Sequence, residues 1–212
     1  MDAHSEDTLE RDLPPRRIAI LSDIHGNLPA FEAVLADIKS AGVDERWCLG
    51  DLVGYGAQPD ECVALAKDEC ELTLIGNHDL VVIGKLDIAD FSLNAAVAAR
   101  WTQDNIAQES VDFLNTLEPM ANGNAVGLYH ASPRDPVWEY VLSTMLADAC
   151  MDAMEQRIGA VGHSHVALYF WRSERGAVAG EHAPGGTVLD LSQGEWIVNP
   201  GGVGQPRAPF YS

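Results

Sequence analysis

No run of apolar residues in this chain approaches the ~20 that a membrane-spanning helix needs. The amino terminus, Met1-Asp2-Ala3-His4-Ser5-Glu6-Asp7, lacks both the basic start and the apolar stretch of a signal peptide. A cytoplasmic protein with no membrane partner is therefore expected. Basic residues are scarce as well: 13 Lys and Arg stand against 32 Asp and Glu, a net charge of −19. A surface this acidic repels a polyphosphate backbone, which argues against long DNA or RNA as a partner and against a nuclease acting on them. A small phosphorylated substrate, a nucleotide included, stays open, because bound cations reverse the sign inside one cleft. Cysteine is sparse too. Cys48, Cys62, Cys70 and Cys150 form no C-x-x-C pair and lie in apolar or helical patterns. Buried free thiols in a reducing compartment are expected, not a zinc finger.

What is present is an alternating pattern. Residues 1–15 are polar, end in Pro14-Pro15 and read as a flexible tail. From residue 16 to 212 the chain reads as one domain, with no repeat and no linker. Arg17–Ser22, Trp47–Leu49 and Leu72–Ile75 read as buried strands, and Asn27–Ala41 and Pro59–Cys70 as helices between them. That order is the signature of an α/β fold with a parallel sheet. The middle reads as helical over 80–86, 92–106 and 110–117, then a strand over 126–129 and a helix over 144–156. Short strands are predicted at 158–161, 166–171, 187–191 and 196–198, which suggests a second sheet packed on the first with helices outside.

Five polar blocks punctuate this pattern: Asp23-Ile24-His25, Gly50-Asp51, Gly76-Asn77-His78-Asp79, His130, and Gly162-His163-Ser164-His165. They hold five of the seven histidines. Residues i and i+2 of a strand point the same way, so Asp23 with His25, and His163 with His165, can reach one ion together. Ligands in open α/β sheets gather at the carboxyl ends of the strands, where Asp23, Asp51, Asn77 and His130 fall. Carboxylate, amide and imidazole together suit Mn, Fe, Zn, Co or Ni better than Ca, and the missing thiolates argue against a structural zinc. Two ions ~3.5–4 Å apart need a bridging carboxylate, and Asp51 is the natural one. A lone Asp-x-His, or one histidine at a strand end, is usually a polar residue finding a hydrogen bond. Five such blocks in order are hard to assign to packing, since clustered buried charges without metal are costly. Ser164 lacks the final glycine of a nucleophile elbow, Val166 standing in its place, and Gly54-Tyr55-Gly56 does not complete a dinucleotide fingerprint.

The series Asp-x-His, Gly-Asp-x-x-Gly, Gly-Asn-His-Asp, His, Gly-His-x-His resembles the calcineurin-like metallophosphoesterase superfamily, in its small bacterial and archaeal phosphodiesterase-like branch. The stretches Ser22–Leu28, Gly50–Gly56 and Asn199–Arg207 carry the likeness further. The resemblance implies a four-layer α-β-β-α sandwich, two mixed β-sheets flanked by helices. It implies two divalent ions, Mn first, with Fe, Zn, Ni, Co or Mg as alternatives. One would be held by Asp23, His25, Asp51 and His165, the other by Asp51, Asn77, His130 and His163. A hydroxide bridging them would attack phosphorus of a phosphodiester or phosphomonoester. The family position of His78 implies stabilisation of the transition state or protonation of the leaving oxygen. Asp79 would orient His78 or cap a helix. Arg134 and Arg207 would clamp phosphate oxygens, and Tyr55 would line the mouth. A dinucleoside polyphosphate hydrolase or a phosphoprotein phosphatase are the alternatives on the same site. A non-catalytic scaffold of this fold is disfavoured by the retained histidines. Relatives in this branch commonly continue past the Gly-Gln-Pro-Arg stretch with further strand residues. A bare sheet edge there would favour a homo-oligomer.

Overall fold

The computed structural model describes residues 16–123, 125–173 and 176–207. The tail expected over 1–15 lies outside the described residues. The first sheet has three strands, β1 (Ile18–Leu21), β2 (Glu45–Cys48) and β3 (Leu72–Thr73), in that order and all parallel. The helices α1 (Leu28–Ala41) and α2 (Pro59–Glu69) make the crossovers. Asn27 caps α1 by accepting from the Ala30 N–H at 3.2 Å, and left-handed Gly42 ends it.

Then come α3 (Asn77–Val82), a 3-10 turn at Ile88–Asp90, α4 (Leu93–Asn105), α5 (Gln108–Leu114), β4 (Met120–Asn122), β5 (Val126–Tyr129) and α6 (Thr144–Ala153). The chain closes with β6 (Ile158–Val161), β7 (Leu168–Arg172), β8 (Val178–His182) and β9 (Glu195–Asn199). The second sheet runs β4-β5-β6-β9-β7-β8. It is mixed: β5, β6 and β9 are parallel, while β4, β7 and β8 pair antiparallel.

Three apolar clusters separate four layers. Leu21, Cys48 and Leu52 pack with Phe31, Cys62, Val63 and Leu114, joining α1, α2 and α5 to the outer face of the first sheet. Trp47, Leu49 and Leu74 meet Leu128 and Ala160 between the sheets. Val161, Phe170 and Ile197 meet Ala147, Cys150 and Met151 of α6 on the far side. This is the expected α-β-β-α arrangement, with one sheet wholly parallel.

The local expectations fail at three places. Residues 187–191 form no strand, because their side chains find no layer to bury against: Thr187 and Asp190 are exposed and Val188 is 92% exposed. Strands β4 and β8 were not legible, since Met-Ala-Asn and Val-Ala-Gly-Glu-His carry little β-propensity and depend on pairing with β5 and β7. Helix α3 begins at Asn77, not Leu80, so Asn77 and His78 sit on its first turn. All four cysteines are free; three are buried and Cys70 is half-buried. Among the described residues, no helix is long and apolar enough to cross a membrane.

Candidate metal centre

The loops after β1 and β2 deliver Asp23, His25 and Asp51, the first turn of α3 delivers Asn77, and the loops after β5 and β6 deliver His130, His163 and His165. The parallel strands of both sheets thus end at one place. The side chains do not get there by strand alternation. Asp23, His25, Asp51, Tyr55, His163 and His165 all have left-handed backbones, with φ between 51° and 60°. Among the described residues these are the only non-glycine positions with positive φ, and five of the six are predicted ligands. Each costs on the order of 1–3 kcal/mol, least for Asp and His, which tolerate this region better than most. Every second residue turning left-handed is what brings Asp23 beside His25 and His163 beside His165. The strain is held by cross-loop hydrogen bonds: the Asp23 N–H donates to Gly50 O at 3.0 Å and the His25 N–H to Asp51 O at 2.9 Å. Gly76 has no alternative here, since a Cβ on it would stand 2.0 Å from Asp51 Oδ1.

Each of four imidazoles is pinned through one nitrogen to a backbone carbonyl. Nδ1 of His25 donates to Val53 O at 3.1 Å, Nδ1 of His130 to Leu49 O at 2.8 Å, and Nδ1 of His165 to Gln205 O at 2.6 Å. His163 is the reverse, with Nε2 donating to Trp138 O at 3.2 Å. A carbonyl only accepts, so these bonds fix the tautomers and leave the opposite nitrogens as lone pairs. In His25, His130 and His165, the free Nε2 turns inward. His25 Nε2 and His165 Nε2 are then 3.0 Å apart, two acceptors face to face. His130 Nε2 faces the Asn77 Oδ1 at 3.1 Å in the same way. Asp51 Oδ2 stands 3.6 Å from His25 Nε2 and 3.7 Å from His130 Nε2, and His165 Nε2 is 3.4 Å from Asp23 Oδ1.

Both Asp23 oxygens and Asp51 Oδ2 are buried without a hydrogen-bond partner. Buried acceptors facing only one another are unfavourable until a cation sits among them. Two groups form whose ligand atoms lie within 4.8 Å of one another: Asp23, His25, Asp51 and His165; and Asp51, His130 and His163. Asp51 belongs to both. The two His/Asp clusters are consistent with a dinuclear metal site, and the histidine–carbonyl bonds are the outer support that metal-ligating imidazoles use.

Burial sets the protonation of the metal-free centre. It pushes Asp23 up to about 7 and Asp51 well above the usual carboxylate range, the latter also through nearby Asp79. It lowers His25 well below its ordinary value, His163 to about 2 and His165 to about 4. His163 and His165 are therefore already neutral at pH 6, while the Asp23 carboxyl still holds its proton. Cation binding needs carboxylates, so it must release protons, and affinity should rise with pH through about 7. Calorimetric titration at pH 6 in buffers of different ionisation enthalpy reads that release. Proton-neutral binding at pH 6 would contradict it.

The sequence profile of the calcineurin-like phosphoesterase superfamily domain matches residues 17–211. The chain belongs to this superfamily. It is 41% identical over 195 residues to the Methanocaldococcus jannaschii protein MJ0912, covering 90% of this chain and 77% of that one. It superposes on the crystal structure of a metallophosphoesterase from Sphaerobacter thermophilus with a TM-score of 0.80 and 41% identity, over 91% of this chain and 78% of the other. A shorter match, 36% identical over 70 residues, links 32% of this chain to 26% of the symmetrical bis(5'-nucleosyl)-tetraphosphatase of Actinobacillus pleuropneumoniae.

The superfamily's remaining predicted positions are distributed unevenly around the centre. His78 is buried beside it, its ring 4.8 Å from that of His25 and 4.6 Å from Tyr55, with Nδ1 unpartnered. A Cβ on Gly54 would lie 2.6 Å from that Nδ1, so only glycine leaves room for the ring. Burial lowers the His78 pKa to about 3. Asp79 makes no hydrogen bond to the His78 ring. Its oxygens accept from the Val53 N–H at 3.0 Å and the Gly76 N–H at 2.9 Å, tying the Asp51 loop to the start of α3. The contacts are those of the capping alternative, not those of an orienting partner. Arg134 is turned to Glu139, 3.5 Å away, and is exposed. Arg207 is half-buried, and its charge acts on Tyr55, His78 and His165, in each case after burial. Ser164 is buried, its hydroxyl accepting from Asn199 Nδ2 at 3.0 Å, which places it in the support of the loop.

Sequence reasoning missed two sets of residues. The carbonyls of Leu49, Val53, Trp138 and Gln205 orient the imidazoles, and a carbonyl leaves no mark on a sequence. Phe91, Trp138 and Tyr140 stand around the centre from loops whose course no periodicity reveals.

Proposed function

We propose that this chain is a two-metal phosphoesterase that hydrolyses a phosphodiester or phosphomonoester of small size. The observation that carries the reading is Asp51, shared by two clusters whose imidazoles are pre-turned with lone pairs inward. Asp23, His25, Asp51 and His165 would hold one ion, and Asp51, Asn77, His130 and His163 the other. Bound divalent ions supply a water acidified toward neutral pH and positive charge for the phosphate oxygens. The chain's own residues do the rest. His78 stands against the mouth and offers an N–H to the leaving oxygen. Arg207 offers a guanidinium to a non-bridging oxygen, and Arg134 would have to leave Glu139 to do the same. Tyr55, half-buried between His25 and His78, shields the centre from bulk water. The acidic surface favours a small substrate over a polymer.

Incubating the protein with Mn and p-nitrophenyl phosphate or bis(p-nitrophenyl) phosphate tests this. Turnover of at least one, abolished by a chelator and restored by metal, is expected. No turnover with any divalent metal would sink the enzymatic reading. The 70-residue match to a symmetrical tetraphosphatase favours a second reading, hydrolysis of a dinucleoside polyphosphate. Release of nucleotide from diadenosine tetraphosphate, faster than from either nitrophenyl ester, would establish it.

A further inference from the structure

Phe91, Trp138 and Tyr140 are large apolar side chains that the fold does not use. None belongs to the three clusters that join the layers. Each is instead tied to the centre. The Phe91 ring lies 4.4 Å from that of His78. Trp138 meets Phe91 edge-on at 5.8 Å and 85°, and its carbonyl holds His163. Tyr140 stacks flat on His163, 4.1 Å away and 11° from parallel, and is 43% exposed. The loop carrying Trp138 is set in place: Asp135 Oδ1 accepts from the Val137 and Trp138 N–H groups, each at 3.1 Å. Two separate loops therefore present aromatic rings at the mouth of one site, in a chain whose surface is otherwise strongly acidic.

Resting on the phosphoesterase reading, we infer that the substrate is a nucleotide, its base received by Phe91, Trp138 and Tyr140. Aromatic rings on a fixed loop recognise a planar π-system by stacking, and every nucleobase offers one. A pentose between phosphate and base is neutral, which suits a chain with few cations to spare.

The test compares esters that differ only in the nucleoside. Thymidine 5'-p-nitrophenyl phosphate and methyl p-nitrophenyl phosphate release the same nitrophenolate; adenosine 5'-monophosphate and ribose 5-phosphate form the monoester pair. The expected preference for the nucleoside member is roughly 10–100-fold in kcat/KM. Trp138→Ala and Phe91→Ala should each bring that ratio toward one, and Trp138→Phe should keep it, with folding checked by circular dichroism and metal content. Equal kcat/KM for both members of the pair that turns over overturns the inference, as does a ratio that survives both alanine variants. Failure of every ester with metal present would instead defeat the phosphoesterase reading, and so the two failures are distinct.

Discussion

Asp51→Asn should lower kcat/KM by on the order of 10³-fold and reduce the metal bound per chain. The side chain is the one shared by the two clusters, with Oδ2 3.6 Å from His25 Nε2 and 3.7 Å from His130 Nε2. Its other oxygen accepts from the His78 N–H at 2.9 Å, which fixes the carboxylate plane. An amide preserves the shape but removes the charge that holds cations. Loss of several kcal/mol of transition-state charge stabilisation, at 1.36 kcal/mol per tenfold, gives the magnitude. Stability supplies the control. The folded pKa of Asp51 is raised, so ionising it costs stability as pH rises above the unfolded value toward the folded one. Metal-free Asp51→Asn should therefore melt no lower than the metal-free parent, and above it at alkaline pH. Metal content by elemental analysis, rates and thermal melts read all three. A variant that loses stability and activity together, with metal still bound, would make Asp51 a structural residue.

His78→Ala should lower kcat by roughly 10²–10⁴-fold with metal content intact. The residue lies outside both clusters and beside them. The ring is neutral, so its N–H stabilises charge on the leaving oxygen by a hydrogen bond, and the loss depends on what leaves. An alkoxide concentrates that charge on one oxygen and should show the full effect, whereas p-nitrophenolate spreads it over the ring and should show much less. Equal losses with both would assign His78 to binding, not to stabilisation of the leaving group. The close fit of Gly54 against its ring adds a structural reason for the outcome to be clean: alanine removes the ring and leaves the surrounding backbone unstrained.

The order of elements was readable because it rests on local periodicity. Leu28, Phe31, Leu35 and Ile38 mark α1, and the apolar runs before residues 23, 51, 130 and 162 mark strands. Strands such as β4 and β8 were not readable, because their pairing energy comes from neighbours distant in the chain. The same division applies at the site. Asp79 has the position of an orienting residue, yet its oxygens are taken by backbone N–H groups from two loops. Arg134 follows His130 closely, yet turns to Glu139. Arg207, near the end of the sequence, is brought beside Tyr55 because Gly204 and Arg207 bond to the Asp23 and His165 carbonyls.

By itself the sequence determined which residue types meet at the strand ends, and with them the α/β class and the chemistry of a divalent-metal site. Tertiary structure alone decided how they meet. Alternate left-handed residues bring Asp23 and His25 together, four carbonyls from three loops turn the imidazoles inward, and Phe91, Trp138 and Tyr140 add the aromatic rim. The physical reason is that ligand identity is a property of a side chain. Its direction, its tautomer and its neighbours are properties of backbone angles and carbonyl positions, which are fixed only when the two sheets pack.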